Sequence, residues 1–238
     1  PEINASLLVV PALMTRDAAM EAIMNKIPLI NIITEHVPVY DVARIIAWAR
    51  KGNIRIVGPS SVGIMSPKKG KIGSIGSSEI QRVFTPGPVG VISKSGGMTA
   101  EISVTLTRAG IGQSTVVGIG GDQLIGSDFV DILSLFKDDP QTKAIVLFGE
   151  IGGTYEEQAA DFIRKTRFPK PVVAVVAGAF ADRLPQETVL GHAGAIVARG
   201  RGSYASKARS LLRAGVYLAR TIDEIPTLVS KALIRKRP

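Results

Sequence analysis

The sequence predicts an α/β protein built from two doubly wound parallel sheets that follow one another along the chain. Short apolar runs of strand length alternate with stretches of helical periodicity between residues 5 and 233. Several of these runs lack polar alternation, which is typical of parallel strands buried on both faces. A stretch rich in glycine and proline, residues 65–88, separates two such series and favours a domain junction there.

The first series resembles the latter part of a doubly wound domain. Strands are expected at 5–10, 29–33 and 55–57, and helices at 17–24 and 39–50, the second of which is closed by Gly52. A nucleotide-binding half of this kind normally opens with a strand and a glycine-rich turn, and neither is found ahead of residue 5. We therefore expect a truncated or split chain whose first domain covers residues 1–85.

The second series predicts an open parallel sheet over residues 86–238, with helices on both faces. Its strands are expected at 89–93, 114–119, 144–148, 172–177 and 195–198. Its helices are expected at 98–109, 129–136, 156–165, 205–214 and 222–233. Ligands bind at the carboxyl ends of the strands in such sheets, so the loops there are the first place to look for a site.

Composition limits the classes of protein that the chain fits. Its 238 residues are 45 % hydrophobic and 21 % charged, a globular balance. Cysteine is absent, which excludes disulfides and thiolate metal sites. With no apolar run of bilayer length and no basic-then-apolar leader, we expect a cytoplasmic protein without a membrane partner. The net charge of +9 comes from scattered Lys and Arg, which fits a polyanionic small ligand better than nucleic acid.

Four glycine-rich loops are expected at one edge of the second sheet. They read Ser93-Lys94-Ser95-Gly96-Gly97, Gly118-Ile119-Gly120-Gly121-Asp122, Gly149-Glu150-Ile151-Gly152-Gly153 and Gly191-His192-Ala193-Gly194-Ala195. The first directly precedes a helix, where free amides and the helix dipole attract a phosphate or a carboxylate. Any one loop alone would be a tight turn with a cap, but four at one edge predict a site. Its phosphate- or substrate-binding candidates are Ser93, Lys94, Ser95, Gly96, Gly97, Gly120, Gly121 and Asp122.

Two residues in these loops are candidates for catalysis. Glycines flank His192 and leave space around an imidazole that acts as a nucleophile on a phosphoryl group. Glu150 follows a strand, and a carboxylate near the imidazole would hold one tautomer and raise the basicity of the other nitrogen. The alternatives are a histidine that only packs at a strand entry and a glutamate that caps the next helix.

Other motifs are absent or simpler to explain. His36 follows Glu35 in a loop without glycine neighbours and is expected at the surface. No metal-ligand spacing is present, so we expect no protein metal site. A GxxxxGK[ST] phosphate loop is also missing, so any nucleotide pocket must come largely from another chain.

These motifs resemble those of the α subunit of succinyl-CoA synthetase and its relatives, the nucleoside-diphosphate-forming acyl-CoA ligases and ATP-citrate lyase. The resemblance runs from Ala5 to about Leu233. Its further landmarks are Val10-Pro11-Ala12, Ile33-Thr34-Glu35, Gly58-Pro59 and Lys71-Ile72-Gly73. It implies a Rossmann-like CoA-binding domain, truncated at its start, followed by a flavodoxin-like domain.

The resemblance also implies a reaction and its partners. His192 would be phosphorylated by ATP or GTP, bound with Mg²⁺ on an ATP-grasp β subunit. The phosphate would pass to a carboxylic acid, and CoA would displace it from the acyl phosphate. Glu150 would position the histidine, while Ser93, Ser95 and Gly96 would begin the helix that holds its phosphate. CoA would contact Pro11, Ile33, Thr34, Glu35, Ser60, Ser61 and Lys71.

Two loops depart from the family pattern, and the second of them leaves the acid open. The GPNxPG loop of the family reads Gly58-Pro59-Ser60-Ser61-Val62-Gly63 here, and its SRSGT loop reads Ser93-Lys94-Ser95-Gly96-Gly97. The second glycine, followed by Met98, is closer to ATP-citrate lyase and favours citrate or malate as alternatives to succinate. A CoA-binding sensor without activity is a further alternative. A flavodoxin-like electron carrier fits less well, because the single Trp48 lies far from the loops in the sequence.

Overall fold

A computed structural model of the chain describes residues 2–76, 80–180 and 202–234. It confirms the predicted α/β class, since strands and helices alternate along the chain and the strands form two sheets. One sheet has three strands and the other has seven. The strand expected at 195–198 lies outside the described residues.

The smaller sheet is parallel and contains β1 (Ala5–Leu8), β2 (Leu29–Ile32) and β3 (Arg55–Val57), in that order. Its connections are α1 (Thr15–Met24) and α2 (Val39–Lys51), and Gly52 ends α2 as predicted. Both helices belong to one apolar cluster with the central strand, where Ile30 and Ile32 are fully buried.

Only part of the burial predicted for the first strand is seen in the described residues. β1 lies at the edge of the small sheet, where Leu8 is buried but Leu7 and Val9 are exposed. An unbroken apolar run predicts a strand covered on both faces, and none of the described strands pairs with the outer side of β1.

The larger sheet has the order β10-β9-β8-β6-β7-β4-β5. Its strands are β4 (Gly63–Ser66), β5 (Gly70–Ile72), β6 (Pro86–Ser93), β7 (Gln113–Gly118), β8 (Ala144–Glu150), β9 (Val172–Ala177) and β10 (Tyr217–Leu218). Its helices are α3 (Ile80–Val83), α4 (Gly96–Arg108), α5 (Phe129–Asp138), α6 (Tyr155–Lys165), α7 (Tyr204–Arg213) and α8 (Ile225–Ile234). Strands β10 to β7 pair in parallel, whereas β4 is antiparallel to β7 and β5 to β4.

Helices cover both faces of the larger sheet, as the sequence predicts. Alternate residues of β8 show this, because Ile145 and Leu147 belong to the apolar cluster that includes α5 and α6. Ala144 and Val146 belong to the cluster on the opposite face, with residues of α4 and α8. The period of two along a strand therefore supplies two separate cores.

The stretch between residues 65 and 88 is more regular than its composition predicts. The hairpin of β4 and β5 joins the larger sheet through β7, and α3 follows it. Gly63 and Gly73 lie opposite each other at the open end of this hairpin, both at positive φ, and a Cβ on either would lie within 3 Å of the facing backbone. Glycine is therefore required there by the close approach of the two segments. Residues before the expected boundary at 85 thus pair with the second sheet, and the boundary itself stays a prediction.

Local signals explain where the helices begin. Ser95 is the N-cap of α4, and its side chain accepts a hydrogen bond from the Met98 amide. Asp128 caps α5 in a reciprocal capping box with Asp131. Among the helices of the described residues, none has the length and apolarity needed to cross a bilayer.

Candidate active site

The loops that follow the parallel strands of the larger sheet lie at one edge. Ser93, the last residue of β6, lies opposite Gly118 of β7 and Phe148 of β8. Glu150, the last residue of β8, lies opposite Ala177 of β9. Three of the four predicted loops therefore meet at the carboxyl edge. The fourth, which contains His192, lies outside the described residues.

The N-terminus of α4 is built to receive an anion. Met98 donates its amide to the Ser95 side chain at 3.5 Å, and Thr99 donates its amide to the Ser95 carbonyl at 3.0 Å. The amides of Gly96 and Gly97 come before the first intrahelical bond, so the helix does not use them. Gly97 is exposed, and a Cβ built there would meet no atom within 4 Å. Open space and free amide groups thus coincide at the positive end of a helix dipole.

Gly96 has a different role from its neighbour. A Cβ at Gly96 would lie 2.3 Å from the Val62 side chain, and one at Gly118 would lie 2.6 Å from it. Val62 therefore packs against two of the three described loops. The glycines allow the chain before β4 to approach the ends of β6 and β7 closely.

Lys94 and Glu150 form a buried ion pair between two of the loops. The Lys94 Nζ lies 3.4 Å from Glu150 Oε1, with side-chain exposures of 1 % and 11 %. The Lys94 amide donates to the Phe148 carbonyl at 3.2 Å, and its ammonium group lies 5.9 Å from the centre of the Tyr155 ring. We predicted Lys94 only as a ligand for phosphate or substrate, so its pairing with Glu150 is an addition to that prediction.

Glu150 does not act as the cap of the following helix. Thr154 precedes α6, and no side-chain hydrogen bond caps that helix in the described part of the chain. The Glu150 side chain instead turns to Lys94, on the adjacent strand's loop. The capping alternative for Glu150 is therefore wrong.

A second buried ion pair lies directly behind the loop that follows β8. The Lys207 ammonium contacts a carboxylate oxygen of Glu156, and both side chains are fully buried. It also donates to the Gly152 carbonyl at 2.8 Å. The other Glu156 oxygen accepts a hydrogen bond from the Glu150 amide at 3.1 Å.

This second pair is not evident from the glycine-rich loops of the sequence, although the helical period contains a signal for it. Glu156 lies on the same face of α6 as Ala159, Ala160 and Ile163, which are all buried. Lys207 lies one turn before the buried Leu211 on α7. Charged residues on an apolar helical face are seldom buried unless they are paired. A Glu and a Lys that both lie on such faces are therefore expected to form an ion pair with each other.

The loop that follows β7 connects the edge to the smaller sheet. Asp122 accepts a hydrogen bond from the Ser60 hydroxyl at 2.8 Å, and the Ser61 hydroxyl donates to the Gly118 carbonyl at 2.6 Å. A Cβ at Gly120, whose φ is +100°, would lie 2.1 Å from the Pro59 carbonyl oxygen. Gly121 is buried beside it. The structure thus brings the predicted CoA-contacting serines against the predicted phosphate loop.

The remaining CoA candidates of the small sheet lie at its carboxyl edge. The Thr34 hydroxyl donates to the Val10 carbonyl at 2.8 Å, and the Ser60 amide donates to the Thr34 carbonyl at 3.0 Å. Ile33 follows β2. Pro11 comes directly after Val10 in the chain and Glu35 directly after Thr34, and both are exposed. Lys71 differs, because it lies on β5 at the far edge of the larger sheet, paired with Met65.

Tyr155 links two of the loops from the start of α6. Its hydroxyl donates to the Gln123 carbonyl at 3.1 Å. Burial raises the pKa of the Tyr155 phenol, so the hydroxyl keeps its proton and remains a donor at neutral pH. His36, predicted at the surface, is exposed.

Fold and site together define an α/β protein that can hold an anion at the carboxyl edge of a doubly wound sheet, close to a buried carboxylate–ammonium pair. The sequence profile of the CoA-ligase family matches residues 92–217. The chain is 46 % identical over 230 residues to "Succinate--CoA ligase [ADP-forming] subunit alpha 2" of Archaeoglobus fulgidus, covering 97 % of this chain and 77 % of that protein. It is 37 % identical to a subunit of ADP-forming sulfoacetate-CoA ligase from Acholeplasma sp., over 99 % and 78 % of the two chains.

Solved structures agree with this likeness. A variant of Methanosaeta concilii ATP citrate lyase in complex with (3S)-citryl-CoA superposes with a TM-score of 0.92 at 29 % identity. The match covers 97 % of this chain and 38 % of the lyase chain, so this chain spans less than half of that polypeptide. The chain belongs to the CoA-ligase family of acid–thiol ligases, and the relatives it matches at 44 to 46 % identity are named as succinate–CoA ligase α subunits.

Proposed function

We propose that this chain is the α subunit of a nucleoside-diphosphate-forming carboxylic acid–CoA ligase, with succinate as the first candidate acid. The relatives named as succinate–CoA ligase α subunits support this function. The structural observation that carries it is the open N-terminus of α4, with the Lys94–Glu150 pair on the adjoining loop. An anion-binding helix end beside a carboxylate suits the transfer of a phosphoryl group.

The proposed reaction has three displacements. A nitrogen of His192 attacks the terminal phosphorus of ATP or GTP, and the nucleoside diphosphate leaves. An oxygen of the carboxylic acid then attacks the phosphorus, which frees the imidazole and forms an acyl phosphate. The sulfur of CoA finally attacks the acyl carbon, loses its proton, and inorganic phosphate leaves. Imidazole suits this sequence because it is both a nucleophile and a good leaving group.

The residues at the carboxyl edge would stabilise the charges of these steps. A phosphorylated imidazole carries about two negative charges, and a helix N-terminus stabilises nearby anions by up to roughly 2 kcal/mol when partly buried. The amides of Gly96 and Gly97, with the Ser95 hydroxyl, would donate to phosphate or substrate oxygens. Ser93, predicted as a further ligand, is fully buried and its hydroxyl donates to the Ser95 carbonyl at 2.8 Å, so it would hold the loop in shape. The loop of Gly120, Gly121 and Asp122 would contribute the opposite wall.

Glu150 would orient His192 through the proton on one ring nitrogen, leaving the other nitrogen to attack. Lys94 neutralises Glu150 and holds its carboxylate at the edge, since the two groups lie 3.4 Å apart. Lys94 therefore acts through Glu150 in this proposal, besides its predicted role near the phosphate.

CoA would bind along the carboxyl ends of the small sheet as a substrate. Access there is open, because Pro11 and Glu35 are exposed and Thr34 is half-buried. The Ser60–Asp122 hydrogen bond would bring this surface next to the phosphate loop. Ile33 completes the contacts, and Lys71 would reach a CoA phosphate from β5. Ser61, predicted as a further contact, is buried with its hydroxyl bonded to the Gly118 carbonyl, so it would support the loop from behind.

A second chain completes the proposed enzyme. ATP or GTP with Mg²⁺ would bind mainly on an ATP-grasp β subunit, and the described residues contain no group of three His, Cys, Asp or Glu suited to hold a metal ion. The cytoplasmic location expected from the sequence stays a prediction.

A panel of carboxylic acids tests the proposed function. The complex of this chain with its β subunit is incubated with CoA, ATP or GTP, and succinate, sulfoacetate, malate or citrate, and acyl-CoA is measured by mass spectrometry. We expect succinyl-CoA and stoichiometric nucleoside diphosphate, and no product from a complex that carries His192→Asn. Failure of every acid with an intact complex would contradict the proposal.

A citrate- or malate-activating ligase is the second candidate function. Gly97 favours it, because the open space at this position would admit an acid with more substituents than succinate. The TM-score of 0.92 with an ATP citrate lyase supports it too. A higher kcat/KM for citrate or malate than for succinate would select this candidate, whereas CoA binding without any turnover would select an inactive sensor.

A further inference from the structure

We infer that Lys207, with Glu156 and Glu157, is a positioning cluster that sets the geometry of the loop carrying Glu150. This inference rests on the proposed function. The cluster touches no predicted ligand itself and would act through the backbone of residues 150–153. Its three side chains come from the starts of α6 and α7, on the far side of that loop.

The cluster holds the loop at both of its ends. Glu156 accepts the hydrogen bond of the Glu150 amide at 3.1 Å, and Lys207 donates to the Gly152 carbonyl at 2.8 Å. Gly149 makes the approach possible, since a Cβ there would lie 2.6 Å from Glu156 Oε1. The position of the Glu150 backbone, and so the reach of its carboxylate, therefore depends on this pair.

Glu157 extends the same cluster to the segment before α7. Its Oε1 accepts from the Gly202 amide at 3.2 Å and from the Ser206 hydroxyl at 3.1 Å, and its Oε2 lies 3.6 Å from the Lys207 ammonium. The Gly152 amide donates in turn to the Gly202 carbonyl at 2.7 Å. The Lys207 ammonium thus contacts the loop of Glu150 directly and Gly202 through Glu157. Gly202 follows His192 in the chain.

The stability of the fold does not require a buried Lys207–Glu156 ion pair. Lys207 and Glu156 are fully buried, and the desolvation of two buried charges offsets much of their attraction. Apolar or neutral side chains of similar volume generally serve stability as well. What neutral side chains lack is the ammonium that donates to the Gly152 carbonyl and bridges both carboxylates at once.

Three variants of the complex with the β subunit separate positioning from stability. Lys207→Met leaves Glu156 buried without its cation. Glu156→Gln with Lys207→Met removes both charges of the fully buried pair and keeps an acceptor for the Glu150 amide, and the charge of Glu157 remains on a side chain that is 18 % exposed. Lys165→Met is the matched control, because Lys165 forms only an exposed pair with Asp161 on α6. Thermal unfolding, hydrogen exchange of residues 149–153, and single-turnover phosphorylation by labelled ATP are measured for each.

We expect the double variant to recover most of the unfolding temperature that Lys207→Met loses. Its phosphorylation should still be at least tenfold slower than that of the unchanged protein, and residues 149–153 should exchange at least tenfold faster while residues 144–148 of β8 stay protected. The Lys165→Met control should behave like the unchanged protein. Should phosphorylation recover together with stability, or loop exchange stay unchanged, the positioning role is overturned. If the unchanged complex is not phosphorylated at all, the proposed function has failed, and loop exchange still decides whether the cluster holds the loop.

Discussion

At the scale of single residues, the Lys94–Glu150 pair decides how the carboxylate is presented. Glycine spacing identifies the loops from the sequence, whereas the role of Ser95 as the N-cap of α4 is a finding of the structure. Spacing does not reveal which charged residues pair across loops, because Lys94 and Glu150 are brought together by the pairing of β6 with β8. Glu156 and Lys207 were missed for a related reason, since charged residues are usually expected in solvent.

Replacement of Lys94 by Met should impair the proposed phosphorylation. Glu150 would lose its ammonium partner in a buried site, and breaking such a pair costs roughly 3 kcal/mol. We expect phosphorylation of the complex to slow at least tenfold, as it would with Glu150→Gln. Lys137→Met, an exposed change on α5, is the control, and rapid-quench labelling is the measurement.

The double variant of Lys94→Met and Glu150→Gln distinguishes function from folding. It contains no unpaired charge, so its unfolding free energy should return to within about 1 kcal/mol of the original value. Phosphorylation should stay slow in it. Normal rates in either Lys94→Met or the double variant would refute the role of the pair.

At the scale of elements, most of the fold follows from the sequence. The helices α4 to α8 and strands β6 to β9 lie at the predicted positions, because buried parallel strands and one-sided helices have distinct periods. The hairpin of β4 and β5 was missed, since short strands rich in glycine and proline look like a linker. Its pairing with β7 is a tertiary contact, and no local pattern encodes it.

The capping box of α5 gives a prediction about stability. The Asp128 carboxylate accepts hydrogen bonds from the amides of Val130 and Asp131, at 2.8 and 3.1 Å. Asp128→Ala should lower the unfolding free energy by about 1 kcal/mol, whereas Asp128→Asn keeps an acceptor and should change it by a few tenths. Urea titration of the chain measures both.

The same residue predicts a dependence on pH. Burial raises the pKa of the Asp128 carboxyl, with Asp131 adding to the effect against the lowering by backbone hydrogen bonds. Because the folded state then binds the proton more tightly than the unfolded state, protonation of Asp128 stabilises the fold. This stabilisation is present below the unfolded-state pKa and is lost as the pH rises through the folded-state pKa. As the pH rises from acid to neutral, the unfolding free energy of Asp128→Asn should therefore increase relative to that of the unchanged chain. A difference that stays constant with pH would contradict this.

At the scale of the whole molecule, the two sheets meet through short polar bonds. Ser61 donates to the Gly118 carbonyl, the Gly126 amide donates to the Gly58 carbonyl at 2.8 Å, and Ser127 donates to the Ile56 carbonyl at 2.6 Å. These bonds bring the carboxyl edge of the small sheet against that of the large sheet. The sequence predicts two sheets but not this junction, because the bonds join residues far apart in the chain.

The Ser60–Asp122 hydrogen bond should couple this junction to CoA binding. A double-mutant cycle of Ser60→Ala and Asp122→Ala should give a coupling free energy of about 1 kcal/mol in urea unfolding. CoA affinity of the complex, measured by calorimetry, should weaken several-fold in either variant. Ser134→Ala, an exposed change on α5, should leave affinity unchanged. Additive effects of the two substitutions would show that the bond contributes nothing.

Phosphate transfer through one imidazole is the central claim, and labelling tests it most directly. The complex of this chain with its β subunit is incubated with ATP labelled at the terminal phosphate, and the modified residue is located by mass spectrometry. We predict acid-labile, alkali-stable label at His192, discharged by the carboxylic acid with CoA, and none in His192→Asn. Label on another residue, or label that persists in His192→Asn, would contradict the account.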